Sequence, residues 1–341
     1  MTEYFEVLSR DGAARAAELR LADPVATPGL VDDVVENAGG MWPEHRDVPD
    51  GDESALTVLP HRGLPAGTAD EVADSFAVTA PDVDYPSAAV VSSNHVEASG
   101  ADAYVLSDVQ GFLGHARGLK DAILAVKDAI PEDAAVYLSG AATPRNVAVL
   151  AYAGVDLFDA DRAVALGTQG RYLTTDENHF LDDLDELPCA CEACRQPRED
   201  FDRGDCVDHN VAVLEAELAR VRRRVRDGRL RDYVEGQARQ DQWLTALVRE
   251  LDQEWGYLEA RTPVYRNAHM DATTEDTLNR VEIQRFAQRV TERYRNRFSS
   301  PLVLVPCSAP TPYPASQSNA QYPDVIQWRA HVASMTSPIG V

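Results

Sequence analysis

Lysine is almost missing from this chain. Lys120 and Lys127 are the only two, and arginine makes up the rest of the 32 basic residues, set against 56 acidic ones. A net charge of −24 excludes a broadly basic surface, which a polyanionic partner normally requires. An acidic, lysine-poor chain is also what adaptation to high salt produces. At ~1 M salt the Debye length shrinks to about 3 Å, so local arginine contacts can still hold phosphate. The charge balance therefore does not decide the partner. No run of 18 apolar residues occurs, which excludes a membrane-spanning helix. The opening Met1-Thr2-Glu3-Tyr4-Phe5-Glu6 lacks the basic and apolar regions of a signal peptide, so a cytoplasmic protein is expected. Five cysteines is an odd number and argues against a disulfide framework.

What is present is unevenly placed. Three of the five cysteines fall within six residues, Cys189-Ala190-Cys191-Glu192-Ala193-Cys194, and His209-Asn210 follows after fourteen intervening residues. Zinc takes four thiolate or imidazole ligands in a tetrahedron, and a tight loop can deliver three thiolates. Disulfides within the loop would be strained. The run from Val211 to Leu218 reads as a helix, which would place His209 at its first turn, facing the loop. Cys206 is a rival fourth ligand, and spacing alone does not choose between them. Buried free thiols beside a surface histidine are the plain alternative.

The chain's 341 residues suit roughly two domains of ~150 residues each. Tyr4–Leu8 and Ala16–Leu21 alternate as strands about an Asp11-Gly12 turn. Residues 31–55 read as an exposed loop around a short helix. Leu56–Pro60 is a strand, and Ala69–Phe76 a short helix. A regular alternation begins at Ser87: strands at Ala88–Val91, Ala103–Leu106, Ala135–Leu138 and Val155–Phe158, with helices at Leu113–Ala129 and Asn146–Tyr152. Apolar strands separated by amphipathic helices imply a parallel sheet. Each strand ends in small or polar residues (Ser92-Ser93-Asn94, Ser107-Asp108, Ser139-Gly140, Asp159), the positions that form the active rim of a parallel barrel.

Two helices are expected after the cysteines, at Val211–Asp227 and Arg231–Leu251. The first carries Arg220, Arg222, Arg223, Arg224 and Arg226. This is either a solvated face paired to glutamates or a phosphate contact, which arginine makes bidentately. The character changes near Trp255, giving domains at 1–254 and 255–341. The second holds a helix at Arg280–Phe298, a strand at Pro301–Pro306, the loop Cys307–Asn319 and a helix at Trp328–Met335. A strand ending in Cys307-Ser308 is where an α/β domain places a ligand. An ordinary proline loop is the alternative. The apolar end at Val341 reads as a domain cut mid-way.

Three separated stretches carry a resemblance. Gly154-Val155-Asp156-Leu157-Phe158-Asp159 with Arg171-Tyr172-Leu173-Thr174 resembles archaeal members of the tRNA-guanine transglycosylase family. The cysteine cluster with His209-Asn210 resembles that family's zinc site, whose histidine sits in a similar His-Asn pair. On that ground the resemblance selects His209 over Cys206. The stretch from Pro306 to Asn319 is similar to the PCSxxKPYxxSxSH motif of the archaeosine synthase paralogue.

The resemblance implies an α/β fold, an incomplete or degenerate TIM-type (β/α) barrel with an inserted zinc site, followed by a partial second α/β domain. It implies structural Zn on Cys189, Cys191, Cys194 and His209. It implies tRNA as partner, a radical SAM enzyme as a second partner, and a homodimer or pairing with a separately encoded C-terminal half. The implied activity is amino-donor addition to the nitrile of 7-cyano-7-deazaguanine in the tRNA D-loop, towards archaeosine. Asp159 matches the transglycosylase nucleophile. Cys307 and Ser308 are the catalytic candidates of the distal motif, and Tyr313, Ser316 and Ser318 its substrate-binding candidates. Thr311 and Asn319 stand where the motif has lysine and histidine, which favours a second reading, a non-catalytic zinc-stabilised tRNA-binding subunit. Base exchange is disfavoured because no DSGGFQ segment occurs. Ser107-Asp108-Val109-Gln110-Gly111-Phe112 has a passing likeness but lies too close before Asp159.

Overall fold

A hairpin begins the chain, as the Asp11-Gly12 turn predicts. Strands β1 (Phe5–Asp11) and β2 (Ala14–Leu19) pair antiparallel, and β3 (Val25–Thr27) joins β2. The computed structural model describes residues 2–36, 47–61, 68–75, 81–96, 98–266, 268–295, 299–306, 322, 325–327 and 329–335. The chain divides into two compact units, Met1–Ala268 and His269–Val341. The sequence boundary at 254/255 and this division differ by the segment holding α8 (Trp255–Arg261). In that helix the Tyr257 hydroxyl donates to the Ala153 carbonyl at 2.7 Å, within the first unit.

The first unit is built on a parallel sheet. Its strands are β4 (Gly29–Leu30), β5 (Val35–Glu36), β6 (Leu56–Val58), β7 (Ser87–Val91), β8 (Ala103–Leu106), β9 (Ala135–Leu138) and β10 (Leu157–Phe158). They run in the order β4-β10-β9-β8-β7-β6-β5. The two edge strands are therefore neighbours in the chain, joined by the turn 31–34. In that turn the Val34 and Val35 amides both donate to the Val31 carbonyl. One short segment serves both edges, which curls the sheet into an incomplete TIM-like barrel. The sequence reading took residues 31–55 as loop around a short helix. Two-residue strands carry no readable periodicity, and β5 lies near its start. Helix α1 (Asp70–Ser75) follows β6.

One core cluster packs Phe5, Ala17, Leu19, Val31, Leu56, Ala88, Ala103, Val105, Tyr137 and Leu157 between the hairpin sheet and the barrel strands. On the other face lie α2 (Ala116–Ala129), α3 (Val147–Tyr152) and α4 (Asp161–Thr168). Next comes the small hairpin of β11 (Arg171–Leu173) and β12 (Asn178–Phe180), then α5 (Arg203–Arg226), α6 (Leu230–Gln237) and α7 (Gln242–Asp252). The expected single helix Arg231–Leu251 is thus two. A 3-10 turn at Ala238–Gln240 separates them, and the Asp241 carboxylate accepts the Trp243 N–H to start α7. Buried Arg231 joins Glu235, Asp252 and the Tyr152 hydroxyl, which fastens α6 to α3 and α7.

In the second unit, α9 (Val281–Arg293) precedes β13 (Leu302–Pro306), which pairs parallel with β14 (His331–Met335). Where a helix is expected at Trp328–Met335, residues His331–Met335 form a strand. A lone apolar strand leaves its backbone groups without partners, and β14 supplies them to β13. Among the described residues, no helix is long and apolar enough to cross a membrane.

Candidate functional site

The cysteine cluster is assembled by the start of α5. Asp202 caps it, accepting from the Gly204 and Asp205 amides at 2.7 and 3.1 Å, while Asp205 accepts the Asp202 amide. This reciprocal cap starts the helix at Arg203. His209 therefore sits in the second turn, not at the first turn expected from a helix beginning near Val211. One face of α5 then docks on the backbone of β11. The Cys206 thiol donates to the Arg171 carbonyl at 3.3 Å. The His209 Nε2–H donates to the Leu173 carbonyl at 2.9 Å. Asn210 accepts the Leu173 amide and donates to the Arg171 and Ala163 carbonyls.

With Nε2 committed to Leu173, the Nδ1 lone pair of His209 is left for the thiols. It lies 3.4 Å from Cys191 Sγ and 3.3 Å from Cys194 Sγ. The four ligand atoms of Cys189, Cys191, Cys194 and His209 all lie within 4.8 Å of one another. Tetrahedral zinc, with bonds of about 2.3 Å to sulfur and 2.0–2.1 Å to nitrogen, wants edges near 3.5–3.8 Å, so the set fits a metal ion. The carbonyl behind the histidine is the usual orienting partner of a ligating imidazole. The Tyr172 ring stacks on His209 with centroids 3.7 Å apart, and its hydroxyl lies 3.3 Å from Cys194 Sγ. Burial pushes the Cys194 thiol up to about 12 and also raises Cys189, and the neighbouring sulfurs add to both. Burial lowers His209. A divalent cation would supply the positive charge that this set lacks. Cys206, committed to Arg171, stands outside the set.

The strand ends form a second constellation. Asp159 follows β10 and is 4% exposed. Its carboxylate accepts the Gly140 amide at 2.7 Å and the Tyr137 hydroxyl at 2.8 Å. Burial raises the Tyr137 phenol well above its ordinary range, and the Asp159 charge adds to the shift. Asp32, in the turn between the edge strands, accepts the Ala160 amide at 2.9 Å. Burial raises the Asp32 and Asp161 carboxyls, with Asp159 contributing to each. Gln110 donates from the end of β8 to the Ser139 and Gly140 carbonyls, and Asp108 accepts the Ser93 amide and hydroxyl. The segment Ser107–Phe112, discounted in the sequence, thus reaches the same loop that holds Asp159. Gly140 has φ +64°, and a Cβ there would lie 2.2 Å from Gln110 Nε2.

The family model for queuine tRNA-ribosyltransferase matches residues 85–242, from just before β7 to the first residue of α7. A domain of unknown function, DUF5591, matches 283–341. Over its full length the chain is 62% identical to archaeosine synthase of Haloferax volcanii and covers 58% of that protein. Along its whole length the chain is thus similar to an archaeosine synthase. It is also 34% identical to archaeosine synthase subunit alpha of Methanosarcina acetivorans, again over the whole chain and 60% of that relative. The tRNA-guanine(15) transglycosylase of Haloferax volcanii is 31% identical over 216 residues, 60% of the chain and 42% of that enzyme. The chain thus spans under two thirds of the length of the archaeosine synthases it matches.

The structure brings together the four metal-ligand candidates and, separately, sets Asp159 at a strand end. Cys307, Ser308, Tyr313, Ser316 and Ser318, with Thr311 and Asn319, lie outside the described residues. The α5 arginines are largely engaged within the chain: Arg220 with Glu217, Arg222 with the Pro28 carbonyl, and Arg223 with Asp227. Sequence reasoning missed Tyr137 and Gln110, whose partners lie on other strands. It also missed Arg145, in the loop after β9, and Arg162, at the start of α4, single arginines that show no local pattern.

Proposed function

We propose that this chain binds tRNA and acts in archaeosine formation, adding an amino donor to the nitrile of a 7-cyano-7-deazaguanine already placed in the D-loop. The observation that carries this reading is the 62% identity to archaeosine synthase along the whole chain. The strand-end face around Asp159 is the place a barrel of this kind offers a nucleoside. Zn on Cys189, Cys191, Cys194 and His209 is structural in this reading, because four protein ligands leave no position open for water. Its contribution is to hold the cysteine loop against α5.

Cys307 is the candidate nucleophile. Its thiolate adds to the nitrile carbon, the nitrile nitrogen takes a proton, and a thioimidate forms. A donor amine then displaces the thiol and leaves an amidine-type product. Ser308, Tyr313, Ser316 and Ser318 are the candidate contacts around it. Lysine is the proposed donor, with a radical SAM enzyme acting next.

The departures at Thr311 and Asn319 favour a second reading, a zinc-stabilised tRNA-binding subunit without turnover. One assay separates the two. The chain is mixed in molar salt with lysine and with tRNA carrying the cyano base, and the nucleosides are read by mass spectrometry. A lysine adduct lost on Cys307→Ser is expected. Bound tRNA with no adduct selects the second reading, and no binding overturns both.

A further inference from the structure

A cavity of about 160 Å³ opens beside Arg145 and Arg162 at the strand-end rim of the first unit. That is below the roughly 300–1,000 Å³ that encloses a drug-sized ligand, so it suits one group of a larger molecule. Three of its walls are the segment Thr143–Asn146 after β9, Arg162 on α4 after β10, and the antiparallel β11–β12 hairpin. The start of α7, with half-buried Trp243, is the fourth.

The charges in this cavity are unequally used. Asp241 pairs with Arg145 at 3.3 Å and caps the Trp243 amide. Glu177 lies 2.9 Å from His179. Both acids are therefore engaged. The Arg162 side chain, half-buried, makes no hydrogen bond or ion pair among the described residues. Arg145 Nε is buried with no hydrogen-bond partner there either. In a chain of net charge −24, an unneutralised guanidinium and an orphaned buried N–H beside one small cavity call for an anion. Arginine's fork matches a phosphate. Arg162 is also only three residues beyond Asp159, in the first turn of α4.

We propose that Arg162, with Arg145, holds a backbone phosphate of the RNA, flanking the nucleotide that faces Asp159. This rests on the tRNA-binding reading above and adds the site by which the strand is positioned. The cavity wall is also tied to the metal centre, since Leu173 lines the cavity and its carbonyl takes the His209 N–H.

The test is binding of an unmodified tRNA transcript to the full chain across a potassium chloride series. Arg162→Ala is expected to weaken binding about tenfold and to lower the slope of log K against log salt by about 1. Arg162→Lys should keep most of the slope. Arg20→Ala, which removes an exposed charge paired with Glu6, should change neither quantity. Unchanged transcript binding in Arg162→Ala, with wild type binding normally, overturns the inference and leaves the tRNA reading intact. No binding by wild type overturns both. A parallel titration with inorganic phosphate covers the remaining source. If phosphate binds wild type but not Arg162→Ala, and transcript binding is the same in both, the cavity takes a free ion and the RNA assignment fails.

Discussion

Arg15 and Asp156 meet with both side chains fully buried, through Arg15 Nε to Asp156 Oδ1 at 2.9 Å and a second, shorter contact. Arg15 also donates to the Glu132 and Ala134 carbonyls, and Asp156 accepts the Val136 amide. The pair fastens hairpin strand β2 to the junction of β9 and β10. Breaking a buried pair leaves an unpaired charge and costs about 3–5 kcal/mol. Arg15→Met and Asp156→Asn should each lower stability by that order in urea melts. The double substitution should lose less than the sum of the two.

Lys127 gives the opposite expectation. It is buried on α2, and its ammonium has no hydrogen-bond partner among the described residues. Burial lowers its pKa to about 7. Arg15 and Arg261 push the same way, while Asp156 and Glu132 oppose. Between pH ~7 and the ordinary lysine range near 10.4, the unfolded chain holds a proton that the folded chain has released. Stability from this group therefore rises with pH across that window, and the penalty is full below it. Lys127→Met should raise Tm most at pH 6–7, with the gain shrinking towards pH 10. A gain that does not vary with pH would contradict the assignment.

The metal set makes a prediction by contrast. Cys194→Ser or His209→Ala should bind less metal than wild type, measured as zinc equivalents per chain, and lower Tm. Cys206→Ser should keep the metal, although Cys206 lies three residues from His209 on the same helix. Chelator treatment should reproduce the His209→Ala loss in wild type and have little further effect on that variant.

Gly140→Ala tests the strand-end network. A side chain at φ +64° costs about 1–2 kcal/mol, and its Cβ would displace Gln110. The expected outcome is a folded protein with reduced tRNA affinity, read in the same transcript assay. Unchanged affinity would separate this network from RNA binding.

The parts legible in the sequence are those whose chemistry is local. Three thiols in six residues announce a metal loop, and four apolar strands between helices announce a parallel sheet. The edges β4 and β5 were not legible, because two residues show no period. Strand β14 was read as helix because its need is set by β13, some thirty residues earlier. The start of α5 was misplaced because the polar stretch Arg203–Asp208 hides a helix that its aspartate cap fixes. Arg162 shows the same limit: only the fold reveals that none of the described residues neutralises it.

The turn 31–34 has a consequence for the order of events during synthesis. Both edges of the curved sheet leave the ribosome within the first 36 residues, yet β5 must wait for Leu56 and β4 for Leu157 before they find their partners. The seam of the barrel is thus made from the earliest segment and closed by the latest strand. Contacts of such long sequence separation slow folding, and they leave β4 without its strand partner until β10 has emerged.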